Sequence, residues 1–349
     1  MNRRHFLYLS GLPGLSVLAE SWKAGLAFST VEPAFNPEKI VMQLDWKYNV
    51  QFAGVLLADY YDLYRKKGLT VEVRPWKPGI SITDRVAADP RTIACAEQDK
   101  ILTAQASGKP VEAIATMFQT SPMGLMSVPD RGIHRPKDLI GKRVGMHGES
   151  AEVMRWVMDA NNIESDRIEI VPVSYAEKYD RLLSGDLDAV QCYLVDEPIG
   201  FAAQMGLEPD VLKLSDYGYN AYVQVIFAHH KLLQTEPETV RRFLEATFSG
   251  WKMAFEDRIE TAKIIVDYYA EPGSKYQNLD YQIQSLEQVE EYVLGDVGID
   301  RLGEIDGDRW QNMAEKFAAY HIIDRVPSLS QSCNCHFLPE GFASPNSEK

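Results

Sequence analysis

Residues 39–73 run KIVMQLDWKYNVQFAGVLLADYYDLYRKKGLTVEV, and three periodicities follow one another along them. Residues 39–44 are a short apolar run, the pattern of a buried strand. Between 52 and 67, Phe52, Val55, Leu56, Tyr60 and Leu63 recur at the spacing that puts them on one face of a helix. Gly68 stops that helix, and residues 69–73 alternate apolar and polar like a half-buried strand. Strand, helix and strand in this order form a parallel unit joined by its crossover helix.

The same alternation continues outward. Residues 80–88 have helical spacing, 92–96 are a buried strand, 99–107 a helix ended by Gly108-Lys109-Pro110, and 111–118 a strand. A second set begins near Pro129, with strands expected at 143–146, 168–173 and 189–194 and helices at 149–161, 175–184 and 198–205. After a strand at 222–228 the chain is mostly helical, at 238–255, 259–269, 283–294 and 309–321. The expectation is an α/β protein with mainly parallel sheets. It has two lobes, 38–126 plus 224–327 and 127–223, the chain crossing near 123–128 and returning near 222–228. Such an arrangement puts a cleft between the lobes, where hinge closure buries a ligand. Residues 328–349 are expected to form a loosely ordered tail.

With 45% hydrophobic and 25% charged residues, the composition is that of an ordinary globular chain able to fill two cores. A formal net charge of −14 argues against a nucleic-acid partner. Arg3-Arg4, then Phe6-Leu7 and small residues up to Ala27, have the form of a twin-arginine-like export signal over residues 1–27. Cleavage after Ala19 or Ala27 fits equally well. The apolar run there is too short and interrupted for a stable span, and no cysteine near the cut offers a lipid anchor. A soluble periplasmic protein is therefore expected.

Cys95 and Cys192 lie in apolar runs and suit small buried hydrophobes. Cys333-Asn334-Cys335-His336 has one residue between its cysteines, a poor spacing for structural zinc, and leaves a disulfide or an incidental tail open. No glycine-rich phosphate loop and no Gly-x-Ser-x-Gly elbow occurs. His229 and His230 adjoin on a strand and so face opposite ways. His134 and His147 are isolated, as solvated loop histidines are.

Leu44-Asp45-Trp46-Lys47-Tyr48-Asn49-Val50-Gln51-Phe52-Ala53-Gly54 carries a family likeness, continued by Tyr64–Val73, Lys77-Pro78-Gly79-Ile80-Ser81, Asp138–Gly145, Leu183–Val190 and Pro237–Leu244. In this order and spacing, over residues 38–270, the chain resembles the periplasmic binding proteins related to thiamine-pyrimidine synthase and to the sulfonate receptors. The resemblance implies the type II two-lobed periplasmic-binding-protein fold with extra C-terminal helices. It also implies an exported substrate-binding component of an ABC importer, meeting an ABC permease in the membrane. Its ligand would be a small aromatic heterocycle, a thiamine pyrimidine precursor or a riboflavin-like ring, held by a monomer without a cofactor. One branch of the family instead makes hydroxymethylpyrimidine phosphate from pyridoxal phosphate and its own histidine, with iron. That branch has a histidine shortly after the tryptophan motif and a cysteine-rich middle stretch. Here no histidine lies between Trp46 and Lys67 and no cysteine between 216 and 225. A sensor docking onto a membrane signalling protein would leave the same sequence pattern.

A planar heterocycle needs flat apolar faces and a few fixed hydrogen bonds. Trp46 and Tyr48 follow the first strand, at the end where open α/β sheets bind ligands, and Gln51 opens the next helix. Glu97 and Gln98 follow another strand, with Asp99 beside them as a helix cap. Gln119 ends a further strand, facing either the cleft or the backbone of the crossover. Gly148-Glu149-Ser150 precedes a helix, where Glu149 and Ser150 either cap it or bring backbone N–H groups to a polar substituent. Tyr193 and Asp196 follow a strand in the second lobe. Tyr217, Tyr219 and Tyr222 cluster before the return crossover and are expected to supply the second stacking wall.

Overall fold

The computed structural model describes residues 38–338 and Phe342. The proposed export signal lies outside them. Among the described residues no helix is long and apolar enough to cross a membrane.

Among the described residues ten strands form two five-stranded sheets. The first contains β1 (Glu38–Gln43), β2 (Leu69–Arg74), β3 (Thr92–Ala96) and β4 (Val111–Phe118); the second contains β5 (Met123–Ser127), β6 (Arg143–Met146), β7 (Glu169–Pro172), β8 (Ala189–Tyr193) and β9 (Asp210–Lys213); β10 (Val223–His229) returns to the first. Their spatial orders, β2-β1-β3-β10-β4 and β7-β6-β8-β5-β9, are the same pattern twice. In each sheet three strands pair in parallel, and the fourth position is taken by a strand that enters directly from the other sheet. That strand, β10 or β5, runs antiparallel to both neighbours. Four of the five strands in each sheet therefore run the same way, as expected of a mainly parallel sheet, and the reversed one is the strand that crosses between lobes and arrives in the opposite sense.

Two boundaries differ from those expected. Residues 123–126, assigned to the first lobe, begin β5 and pair Met123 with Tyr193 and Gly124 with Cys192, so the chain passes between sheets at 119–122 and 218–222. The residues after 328 are not a loose tail over their described part. Asn334 N–H donates to the Ala113 carbonyl at 2.8 Å, and the Gln105 amide donates to the Ser332 carbonyl at 2.9 Å. Phe337, Leu338 and Phe342 join the first core.

Local chemistry explains the helix ends. The helix expected over 52–67 is split into Ala53–Tyr60 and Leu63–Lys66, since Asp62 takes φ +55° and turns the chain. Helix Ala53–Tyr60 touches helix Pro237–Glu256 so closely that a Cβ on Gly250 would lie 2.0 Å from the Gly54 carbonyl oxygen. Only glycine permits that approach. The helix expected at 175–184 starts later, at Lys178, leaving Tyr175 in a turn after β7. The helix Leu279–Leu294 starts four residues before the expected 283, because the Asn278 side chain accepts from Tyr281 N–H.

Candidate functional site

The chain ends of the parallel strands in both sheets face a common cleft of about 650 Å³, within the range of small-molecule sites. Asp45 and Trp46 follow β1, Trp76 follows β2, and Glu97 follows β3. From the second sheet come Tyr175 after β7, Tyr193 at the end of β8, and Asp196 with Glu197 beyond it. A smaller hollow of about 330 Å³ adjoins, sharing Glu97, Lys100, Tyr175, Tyr193 and Glu197 and adding His147, Ser150 and Gln191.

Aromatic rings form one wall. Trp46 and Trp76 stack at 5.4 Å between centroids and 14° between planes, and Tyr175 reaches across from the other sheet to within 5.5 Å of Trp46. His147 stacks on Tyr175 at 3.9 Å. The Trp46 ring is pinned, because its indole N–H donates to Tyr276 Oη at 2.7 Å, and Tyr276 in turn donates to Asp196 at 3.3 Å. Lys275 completes this chain, 2.9 Å from Asp196 Oδ1.

Carboxylates form the rest, in two kinds. Glu197 is spent on structure: it pairs with buried Lys178 and accepts from Tyr193 N–H at 2.5 Å. Asp196 is likewise held by Lys275, although burial pushes its carboxyl above the ordinary range. Asp45 and Glu97 face the cleft from adjacent strands. Burial, and then the Glu97 charge, raise the Asp45 carboxyl to about 7, while the Cys95 thiol donates to it at 3.6 Å. Glu97 occupies the cap position of helix Gln98–Ala106 but makes no side-chain cap bond, so Asp99 is not the cap. Glu97 instead accepts from Tyr193 Oη at 2.7 Å, a direct link between the sheets. Burial and then Lys178 lower the pKa of His147, which keeps the imidazole neutral near pH 7.

Of the residues singled out from sequence, Trp46, Gln51, Glu97, Tyr193 and Asp196 line the larger hollow and Ser150 the smaller. Glu149 lies in the turn Gly148–Ser150, and its side chain is outside the described set. Six others serve the frame. Tyr48 Oη donates to the Val73 carbonyl at 2.7 Å. Gln98, fully buried, accepts from Tyr222 N–H and donates to the Trp310 carbonyl. Gln119 donates to the Glu304 carbonyl at 2.9 Å, the crossover role. Tyr217 donates to the His134 carbonyl at 3.4 Å on the surface. Tyr219 packs against Trp156 and Phe317, and Tyr222 Oη accepts from Asp306 N–H at 2.9 Å. The expected tyrosine wall thus does not form: Tyr219 and Tyr222 belong to the core, where each finds apolar neighbours or a backbone partner, and Tyr217 is tied to His134 at the surface. Tyr175 takes its place in the cleft.

Asp45, Trp76, Lys100, Tyr175, Glu197 and Gln224 also line the cleft beyond the residues expected from sequence, and His147 lines the smaller hollow instead of standing in solvent. Most of these sit where Trp46 sits, just past the end of a parallel strand, so a uniform use of that rule would have found them.

Comparison with known proteins agrees with this geometry. The riboflavin-binding protein RibY of Chloroflexus aurantiacus is 22% identical over 326 residues, covering 90% of this chain and 91% of that protein. The 4-amino-5-hydroxymethyl-2-methylpyrimidine phosphate synthase of Legionella pneumophila is 24% identical over 222 residues, 61% of this chain and 68% of that one. The periplasmic aliphatic sulphonate binding protein SsuA from Escherichia coli superposes with a TM-score of 0.67 at 13% identity, covering 84% of this chain and 97% of that one, so the fold is that of the periplasmic solute-binding proteins. Residues 49–260, more than half of the chain, match the family described as NMT1/THI5 like, and the protein is a member of that family.

Proposed function

We propose that this protein is the exported substrate-binding component of an ABC importer, and that its ligand is a small aromatic heterocycle carrying N–H groups, a pyrimidine of the thiamine type or a riboflavin-like ring. One observation carries the reading: the stacked Trp46–Trp76 pair and the Asp45 and Glu97 carboxylates line one cleft between the two sheets. Flat faces take a ring, and two carboxylates that are not spent on lysines take its donors. Among the described residues Lys100 is the cation lining the two hollows and no arginine does, which disfavours a sulfonate despite the shared fold. A relative named for binding riboflavin supports the same class. The protein would act as a monomer in the periplasm, closing on its ligand and presenting it to a membrane permease.

The likeness to the Legionella synthase supports a second reading, in which pyridoxal phosphate and iron occupy the cleft and a histidine is consumed. The residues fit it poorly. Among the described residues no group of three His, Cys, Asp or Glu side chains is placed to hold a metal ion. The cleft histidine, His147, is stacked on Tyr175 and lies 3.4 Å from Lys178.

Thermal shift and calorimetric titration against riboflavin, 4-amino-5-hydroxymethyl-2-methylpyrimidine and an alkanesulfonate would test the proposal. One of the two heterocycles should raise the melting temperature and bind once per chain without turnover. Binding of the sulfonate alone would overturn the choice of ligand class. Formation of pyrimidine phosphate on addition of pyridoxal phosphate and iron would favour the synthase.

A further inference from the structure

Gln224 carries two costs that the protein does not recover by itself. It is the second residue of β10, yet its backbone lies at φ +56°, in the left-handed region that a long side chain avoids. The residue is 2% exposed, and its Oε1 is buried with no hydrogen-bond partner. Such orphaned acceptors are rare in folded proteins and call for a reason.

The local backbone shows what the strain achieves. Val223 faces Phe118 and Val225 faces Thr116 on β4, while Gln224 itself enters no strand pair. Val223 and Val225, which a regular strand would put on one side, pack into different cores. The left-handed residue between them reverses the alternation and delivers a glutamine side chain to the cleft wall, in hydrogen-bonding reach of the Asp45 carboxyl. A glycine or asparagine would make this turn at less cost, so the side chain, not the turn, is what the position keeps.

We propose that Gln224 is a ligand-binding residue that sets specificity for a ring edge bearing an N–H. Rotation about the last side-chain torsion exchanges Oε1 and Nε2 without changing the volume of the amide. It turns the orphaned acceptor toward the cleft, where a ring imide or an amino group on the ring donates to it while the ring lies on Trp46. Asp45, released from the amide N–H, then meets the neighbouring position of the same edge. A carboxylate alone would favour any cation; a neutral amide beside it selects an edge that alternates donor and acceptor. This assignment rests on the heterocycle reading above.

The test uses the full chain and two probe pairs: riboflavin with its N3-methyl analogue, and 4-amino-5-hydroxymethyl-2-methylpyrimidine with its N,N-dimethylamino analogue. The first pair tests a ring imide as the donor and the second an exocyclic amine. Gln224→Met keeps the volume and removes both polar atoms. It should weaken the N–H probe of the binding pair at least tenfold and abolish the preference for it over its methylated analogue. Gln224→Asn, which adopts a left-handed backbone readily, should melt at the same or a higher temperature and lose affinity to a similar degree; it also decides the matter should the methionine variant not fold. Unchanged affinity in the folded variants, or equal weakening for the N–H probe and its methylated analogue, would overturn the assignment and leave the function intact. If the wild-type protein bound none of the four probes, the heterocycle reading would fall, and this assignment with it.

Discussion

Two groups of aromatic residues in this chain look alike in sequence and end in opposite places. Trp46, Trp76 and Tyr175 follow parallel strands and meet at the cleft, whereas Tyr219 and Tyr222, at the return crossover, are buried at 3% and 1% exposure. Ring content does not separate the groups; what surrounds them does. The crossover tyrosines meet a second layer of helices, where Trp310 and Phe317 cover their faces and the Arg309 guanidinium lies 4.0 Å over the Tyr222 ring. The strand-end rings are covered only in part, Trp46 by Trp76 and Tyr276, with Tyr175 left at 62% exposure, because the neighbouring sheet stands off across the cleft. A ring becomes a ligand wall when the fold leaves part of it uncovered.

This difference predicts opposite phenotypes. Tyr222→Ala should cost about 3–5 kcal/mol of stability, the usual range for truncating a buried large aromatic, while ligand affinity per folded molecule stays within about threefold. Chemical denaturation and titration of the same preparation measure both. Trp46→Ala should behave in reverse. Loss of the ring face and its burial removes about 2–4 kcal/mol of binding, with a melting temperature within a few degrees of wild type. If the two variants lost affinity equally, the division into core and cleft tyrosines and tryptophans would fail.

Much of the fold was legible because periodicity and glycine breaks report local structure directly. Residues 39–73 contain their strand–helix–strand unit without outside help. β9 carries no clear signal, since Asp210–Lys213 is four residues long with two of them charged, and it is a strand because β5 offers it an edge. The lobe boundary was misplaced for a related reason: the crossover carries no composition signal, and β5 is assigned by its partner β8. In the site, Trp46, Gln51 and Glu97 were found from strand ends. Tyr175 was hidden by an apparent helix that begins three residues later, and Gln224 by a backbone angle that no side-chain pattern announces.

The two groups also differ in their response to pH. In the core, burial pushes the Tyr219 phenol well above its usual range, so it does not titrate near neutrality. In the cleft, Asp45 is raised from 3.8 to about 7. Between these values the folded protein holds a proton that the unfolded chain has released. Stability from this group is therefore full below about pH 4 and falls as pH rises through about 7. A full shift of this size would correspond to about 4 kcal/mol; solvent at the cleft reduces the expected fall to about 1–3 kcal/mol. Asp45→Asn should flatten this part of the stability–pH curve, measured by urea unfolding at steps from pH 4 to 8. An unaltered slope in the variant would assign the titration elsewhere.

The smallest effect expected is at the one tyrosine that belongs to both categories. Tyr193 ends β8, so it sits at the cleft, yet its hydroxyl is satisfied within the protein by Glu97 at 2.7 Å. That bond joins the second sheet to the first and forms only when the lobes are closed on each other in this way. Tyr193→Phe keeps the ring and removes the bond, and should cost about 1 kcal/mol of closure, seen as a roughly fivefold weaker affinity with little change in unfolding. Removing the donor should also matter less once its acceptor is altered. The double variant Tyr193→Phe/Glu97→Gln should bind more tightly than the sum of the two single losses predicts. Additive losses would mean that Tyr193 contributes only its ring, which would move it from the closing contact to the aromatic wall beside Tyr175.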